Sequence, residues 1–181
     1  EFRRVLFRSG CSDLIMDPKN SNIMYASFWE FRRTGWSFSS GGTKSALYKT
    51  TDGGKTWNKI HNGFPAGQLG RIAIAVAPSN SNILYSVLET EKAELNGLYR
   101  SEDAGATWKH LNSDFGLVVR PFYFSRIVVD PRNPDIVVKG GLNGSRVKLQ
   151  LLSKFCFLIS LFFTCFTSSF LCGILPPSLP I

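Results

Sequence analysis

Cysteine is missing from residues 12–155, and the whole 181-residue chain holds only two histidines and two methionines. The cysteine-free stretch excludes a disulfide framework or a Cys-rich zinc site there. It leaves the redox compartment open. His61 and His110 stand at unequal offsets after Trp57 and Trp108, so neither a histidine metal site nor a Ser-His-Asp triad is expected. A phosphate loop is lacking too. Gly53-Gly54-Lys55-Thr56 ends like one but has no glycine four residues earlier and no strand-loop-helix setting. No cofactor and no metal is expected.

Acid is scarce at both ends. Residues 1–9 carry Arg3, Arg4 and Arg8 against Glu1, and residues 146–181 carry Arg146, Lys148 and Lys154 with no acid. These ends hold +2 and +3 of the formal net charge of +8, which leaves +3 for everything between. The basicity is therefore not a nucleic-acid-binding face, and no nucleic-acid partner is expected. The first nine residues, EFRRVLFRS, resemble the translated end of a sequencing-library adapter and are set apart as a scar. The other readings are a basic amphipathic start or part of a signal peptide. Phe155 to Leu175 is uncharged and long enough for a membrane-spanning helix. Arg146, Lys148 and Lys154 before it would hold the preceding domain in the cytoplasm by the positive-inside rule. The segment also arrives where the repeat described next calls for a third strand. The expectation for 146–181 is therefore a misjoined or frame-shifted apolar tail, with a membrane anchor as the alternative.

What the middle does contain is a repeat. Asp17-Pro18-Lys19-Asn20-Ser21-Asn22-Ile23 returns as Ala77-Pro78-Ser79-Asn80-Ser81-Asn82-Ile83 and as Asp130-Pro131-Arg132-Asn133-Pro134-Asp135-Ile136. A second unit, Thr50-x-Asp52-x-Gly54-x-Thr56-Trp57, returns as Ser101-x-Asp103-x-Gly105-x-Thr107-Trp108, 51 residues later. That period suits a four-stranded propeller blade. Strand signals fall in order at Arg71–Val76, Asn82–Leu88, Gly97–Ser101 and Trp108–Leu111, and no helical period occurs in 10–145. The first copy has a long insertion, roughly Trp29 to Ser45. The fold class expected is all-β: a partial β-propeller of about two and a half blades, at about 13–60, 70–111 and 124–145 within a 10–145 domain.

The second unit has the form of an Asp-box, and its chemistry is structural. The carboxylate accepts from turn N–H groups, the glycine allows a left-handed backbone, and the tryptophan buries a wide apolar face. Asp52 and Asp103 are therefore read as turn-shaping residues rather than catalytic acids. Asp17 and Asp130 are read as Asp-Pro turn residues.

On these units, with Trp29-Glu30-Phe31-Arg32-Arg33-Thr34-Gly35-Trp36 and Arg120-Pro121-Phe122-Tyr123-Phe124-Ser125-Arg126-Ile127, the chain resembles the BNR/Asp-box β-propellers. Within them it is similar to the sortilin-like bacterial group often labelled glycosyl hydrolases. The resemblance implies a larger, exported ring with a binding or scaffolding role, of which this chain is a fragment without turnover of its own. The alternative is a xyloglucanase- or sialidase-type glycoside hydrolase acting on carbohydrate. Two carboxylates flanking the scissile bond would then be needed, and spacing alone names none, so the catalytic residues stay unassigned. Glu30, between Trp29 and Phe31, with Trp36, forms an aromatic and carboxylate rim suited to a carbohydrate or peptide ligand. Arg120 and Tyr123 are the further ligand-binding candidates. A membrane partner enters only with the 155–175 segment, and unpaired blade edges lead to an expectation of self-association.

Overall fold

In a computed structural model of the protein, residues 9–123 and 125–140 are described. The proposed scar, apart from Ser9, and the apolar tail lie outside the described residues. Among the described residues no helix is long and apolar enough to cross a membrane.

The first sheet is a four-stranded antiparallel meander of β1 (Ser9–Met16), β2 (Met24–Arg33), β4 (Ala46–Thr50) and β5 (Asn58–Ile60), with β3 (Phe38–Ser40) paired to the far end of β2. The second repeats the order with β6 (Leu69–Val76), β7 (Leu84–Thr90), β8 (Gly97–Ser101) and β9 (Lys109–Asn112). The third has β10 (Ile127–Val129) and β11 (Val137–Lys139). The chain is thus an all-β partial propeller, with β6 packed between β1 and β10.

The repeated proline segment makes the same turn three times. Backbone N–H groups of Asp17, Ala77 and Asp130 each donate to the carbonyl of Ile23, Ile83 and Ile136, all at 2.9 Å. Asn80 Oδ1 accepts the Asn82 N–H at 3.1 Å in an Asx turn, which holds Asn82 out of the ladder. The second strand therefore starts at Leu84 rather than Asn82. Asp17 also accepts the Ser81 hydroxyl at 2.7 Å, tying the first proline turn to the second.

Two further departures from the sequence reading have clear causes. The Trp29–Ser45 insertion begins as strand: β2 runs on to Arg33 and β3 returns along it, closed by Thr34 N–H to Ser37 O at 2.8 Å. Trp108 does not open the last strand either, since its N–H donates to Asn62 O of the preceding segment at 3.0 Å.

The core lies between the first two sheets. Tyr25, Leu47 and Ile60 of the first meet Ile74, Leu84 and Trp108 of the second. Alternation along β6 puts Ile72, Ile74 and Val76 on the side facing the first sheet. The Tyr25 hydroxyl and the Lys49 ammonium both donate to Ala104 O, at 3.0 and 2.7 Å, so polar tips close the seam at its rim.

Candidate functional site

Both Thr/Ser-x-Asp-x-Gly-x-Thr-Trp turns have one hydrogen-bond plan. The Thr50 hydroxyl donates to Asp52 Oδ1 at 2.7 Å and accepts the Gly54 N–H at 2.9 Å; Ser101, Asp103 and Gly105 repeat both distances. Asp52 in turn accepts the Thr56 hydroxyl and N–H, and Asp103 those of Thr107. Gly54 and Gly105 have φ of 90° and 87°, where a side chain would be strained. The Thr56 hydroxyl and amide and the Thr50 hydroxyl hold the Asp52 carboxyl well below the usual range. At Asp103 desolvation opposes, but the Thr107 and Ser101 hydrogen bonds prevail and bring it to about 2. A carboxylate so held stays ionised and engaged at its own turn.

The ligand-binding candidates gather at the opposite end of the sheets from the proline turns, and the backbone shows why. β6 carries a bulge between Leu69 and Ile72, against the end of β7. Such a bulge bends the strand and re-aims a side chain. Here Arg71 N–H donates to Glu89 Oε2 at 2.8 Å, while the Arg71 guanidinium lies 5.2 Å from the centre of the Trp29 ring. The same guanidinium donates to Phe122 O. Trp29 Nε1–H donates to Ser40 Oγ at 3.0 Å, and the Ser40 hydroxyl donates on to Glu89 at 2.7 Å. Trp29, Ser40, Glu89 and Arg71 thus close a ring of contacts across two sheets. Such a network holds its members in place when every polar atom has a partner.

On this base stands an aromatic cluster. Trp29 and Phe31, two residues apart on one face of β2, stack at 4.3 Å. Phe122 meets Trp29, Phe31 and Phe38 edge-on at 5.3, 5.7 and 5.4 Å. Tyr123 extends the cluster outward, and Arg33 donates to its hydroxyl at 3.1 Å. Two cavities flank the β2–β3 hairpin. One, of about 310 Å³, is lined by Arg33, Phe38, Glu89, Arg120, Phe122 and Tyr123. The other, of about 480 Å³, is lined by Glu30, Phe31, Arg32, Ser39 and Gly41. Arg120 has φ of 46° and precedes a proline, a backbone state that costs on the order of 1–3 kcal/mol.

Of the residues singled out from sequence, Trp29, Glu30, Arg120 and Tyr123 come to this end. Trp29 is buried, and Glu30 is tied down by the Lys44 N–H at 3.2 Å. Trp36 stands at the hairpin tip, 91% exposed. Arg71, Glu89 and Asp13 escaped the sequence reading. Burial raises the Asp13 carboxyl, against the Ile74 N–H and the charges of Arg126 and Arg71. The usable signal was Gly70-Arg71 at the start of a strand, since a strand glycine marks a bulge.

No family model matches the chain. Among curated proteins, a xyloglucanase of a Paenibacillus species is 29% identical over 112 residues, covering 59% of this chain and 10% of its own length. A xyloglucanase of Hypocrea jecorina is 31% identical over 109 residues, covering 58% of this chain and 12% of its own. The chain spans about a tenth of the length of these relatives. Solved structures similar to it include the GH74 xyloglucanase of Xanthomonas campestris, with a TM-score of 0.49 and 22% identity over 66% of this chain and 18% of that one. The GH74 enzyme of Niastella koreensis gives 0.45 and 22% over 73% and 19%.

Proposed function

We propose that this chain is part of a carbohydrate-acting, glycoside-hydrolase-like propeller, and that its share of the work is to hold the saccharide. The observation that carries this is the aromatic cluster of Trp29, Phe31, Phe38, Phe122 and Tyr123 beside two open cavities, in a chain whose curated relatives are named xyloglucanases. Rings with an apolar face and a wet edge suit a sugar, which offers C–H groups on its faces and hydroxyls around its rim. Phe38 and Tyr123 are more than half exposed and present such surface. Among the carboxylates here, Glu89 is engaged by Ser40 and Arg71, and Glu30 by Lys44, so this chain is assigned binding and not turnover. Hydrolysis belongs to the complete ring. That ring is an exported protein in this reading, since its substrate is an extracellular polysaccharide.

The two Thr/Ser-x-Asp-x-Gly-x-Thr-Trp turns are read as Asp-boxes of the BNR type, which fits their shared hydrogen-bond plan. A sortilin-like role with a peptide ligand is the second reading, favoured by the Trp29–Trp36 and Arg120–Ile127 segments. Calorimetric titration of the full chain with xyloglucan oligosaccharides tests the proposal. Binding that Tyr123→Ala weakens, with no release of reducing sugar, is the expected result. Turnover by the chain would overturn the division of labour, and absence of any saccharide binding would overturn the carbohydrate reading.

A further inference from the structure

The cavity of about 310 Å³ holds a charge arrangement that a neutral sugar does not call for. Two arginines, Arg33 and Arg120, stand on its wall. The ion pairs among the described residues are those of Arg100 with Glu102 and Asp135, so neither wall arginine is paired with a carboxylate of a described residue. Arg33 is held by aromatic groups instead, its guanidinium 5.5 Å from the Phe122 ring centre and its Nη1 on the Tyr123 hydroxyl. Arg120 is exposed and is carried by a left-handed backbone with φ of 46°. Its guanidinium makes no hydrogen bond with any described residue.

The one carboxylate lining this cavity, Glu89, does not cancel them. Its Oε2 is taken at the base by the Arg71 N–H and the Ser40 hydroxyl. Two guanidinium groups against one carboxylate leave the cavity with an excess of positive charge and with donors in the planar fork that suits a carboxylate. Phe38, Phe122 and Tyr123 supply the ring surface beside them.

We infer that this cavity takes a carboxylate-bearing sugar residue, a uronic acid within a polysaccharide, with Arg120 and Arg33 on the carboxylate and the aromatic rings on the sugar face. The inference rests on the carbohydrate reading given above and names the class of sugar at one part of that site.

The test uses the full chain and three probes: an oligogalacturonide, the same oligosaccharide as its methyl ester, and a neutral xyloglucan oligosaccharide. The acid is expected to bind roughly tenfold more tightly than its ester at low salt, the range of a charge-assisted hydrogen bond. The difference should shrink in high salt. Arg120→Gln should remove most of it while the circular dichroism spectrum stays unchanged. Arg132→Gln, an exposed arginine in the third proline turn at the other end, should leave it intact. Equal binding of acid and ester, or equal loss in the Arg132 variant, would overturn the inference and leave the carbohydrate reading standing. Failure of all three probes to bind would overturn both.

Discussion

Glu89 lies so close against Gly70 that a Cβ added to the glycine would stand 2.3 Å from Glu89 Oε2 and 2.6 Å from its Cγ. Glycine at 70 is therefore what lets the carboxylate fold back over the bulge and reach the Arg71 N–H. On the first sheet Glu30 lies over Gly42 in the same way, with 2.1 Å from a built Cβ to Oε2. A Gly70→Ala change must displace the whole Glu89 side chain, which strands the Arg71 N–H and the Ser40 hydroxyl. The expected loss is about 1–3 kcal/mol, read from the urea midpoint, with weaker saccharide binding. Gly35→Ala, where an added Cβ meets nothing within 4 Å, is the neutral control.

The tryptophans that follow the two Asp-x-Gly turns are unequal in burial. Trp108 is 5% exposed and packs on Phe64 at 5.0 Å, whereas Trp57 is only half-buried, its Nε1–H on Gly54 O at 3.1 Å. Trp108→Ala should cost about 3–5 kcal/mol, the range for a buried aromatic, and Trp57→Ala clearly less. Chemical denaturation of the two variants side by side checks the order.

Acid should loosen the turns. A carboxyl held low in the folded state contributes stability that is full above its unfolded pKa, about 4, and is lost as pH falls through the folded value. For Asp103 that value is about 2, and Asp52 is shifted in the same direction. Stability should therefore decline between about pH 4 and pH 2, and Asp52→Asn with Asp103→Asn should flatten that decline. Denaturant midpoints across this range decide it; an unchanged slope would show that the acid sensitivity lies elsewhere.

Self-association is expected at a defined surface. Leu14 and Met16 stand four and two residues before Pro18, as Ile74 and Val76 do before Pro78 and Ile127 and Val129 before Pro131. The later pairs are buried, at 7% exposure or less, while Leu14 and Met16 are 58% and 53% exposed. Val128 is 64% exposed where its counterpart Ala75 is 5%. Each sheet in this repeat covers the next, so two apolar faces at opposite ends of the stack are left to meet. Light scattering should show mass rising with concentration, and Met16→Lys with Val128→Lys should suppress the rise.

The repeat makes the architecture legible in the sequence. Proline turns and Asp-x-Gly turns recur because each satisfies its hydrogen bonds within a few residues, so residue type at fixed spacing reports them directly. The same locality explains why the strand order and the closure of these turns by neighbouring side chains were legible. Less local matters could not. Asn82 left the strand through an Asx bond, and Trp108 left it through a bond to Asn62, a partner 46 residues away.

The site divides in the same way. Trp29, Glu30, Arg120 and Tyr123 announce themselves as aromatic and charged residues in short motifs, and composition alone draws attention to them. That Trp29 is buried, that Glu89 and Arg71 complete its surroundings, and that Arg33 reaches Tyr123 across 90 positions depended on how the sheets stack. Sequence by itself determined the blade, because its turns are closed by neighbours. Only the tertiary structure decided the surroundings of the candidate residues, because a bulge in β6 and the packing of one sheet on the next set which distant side chains meet.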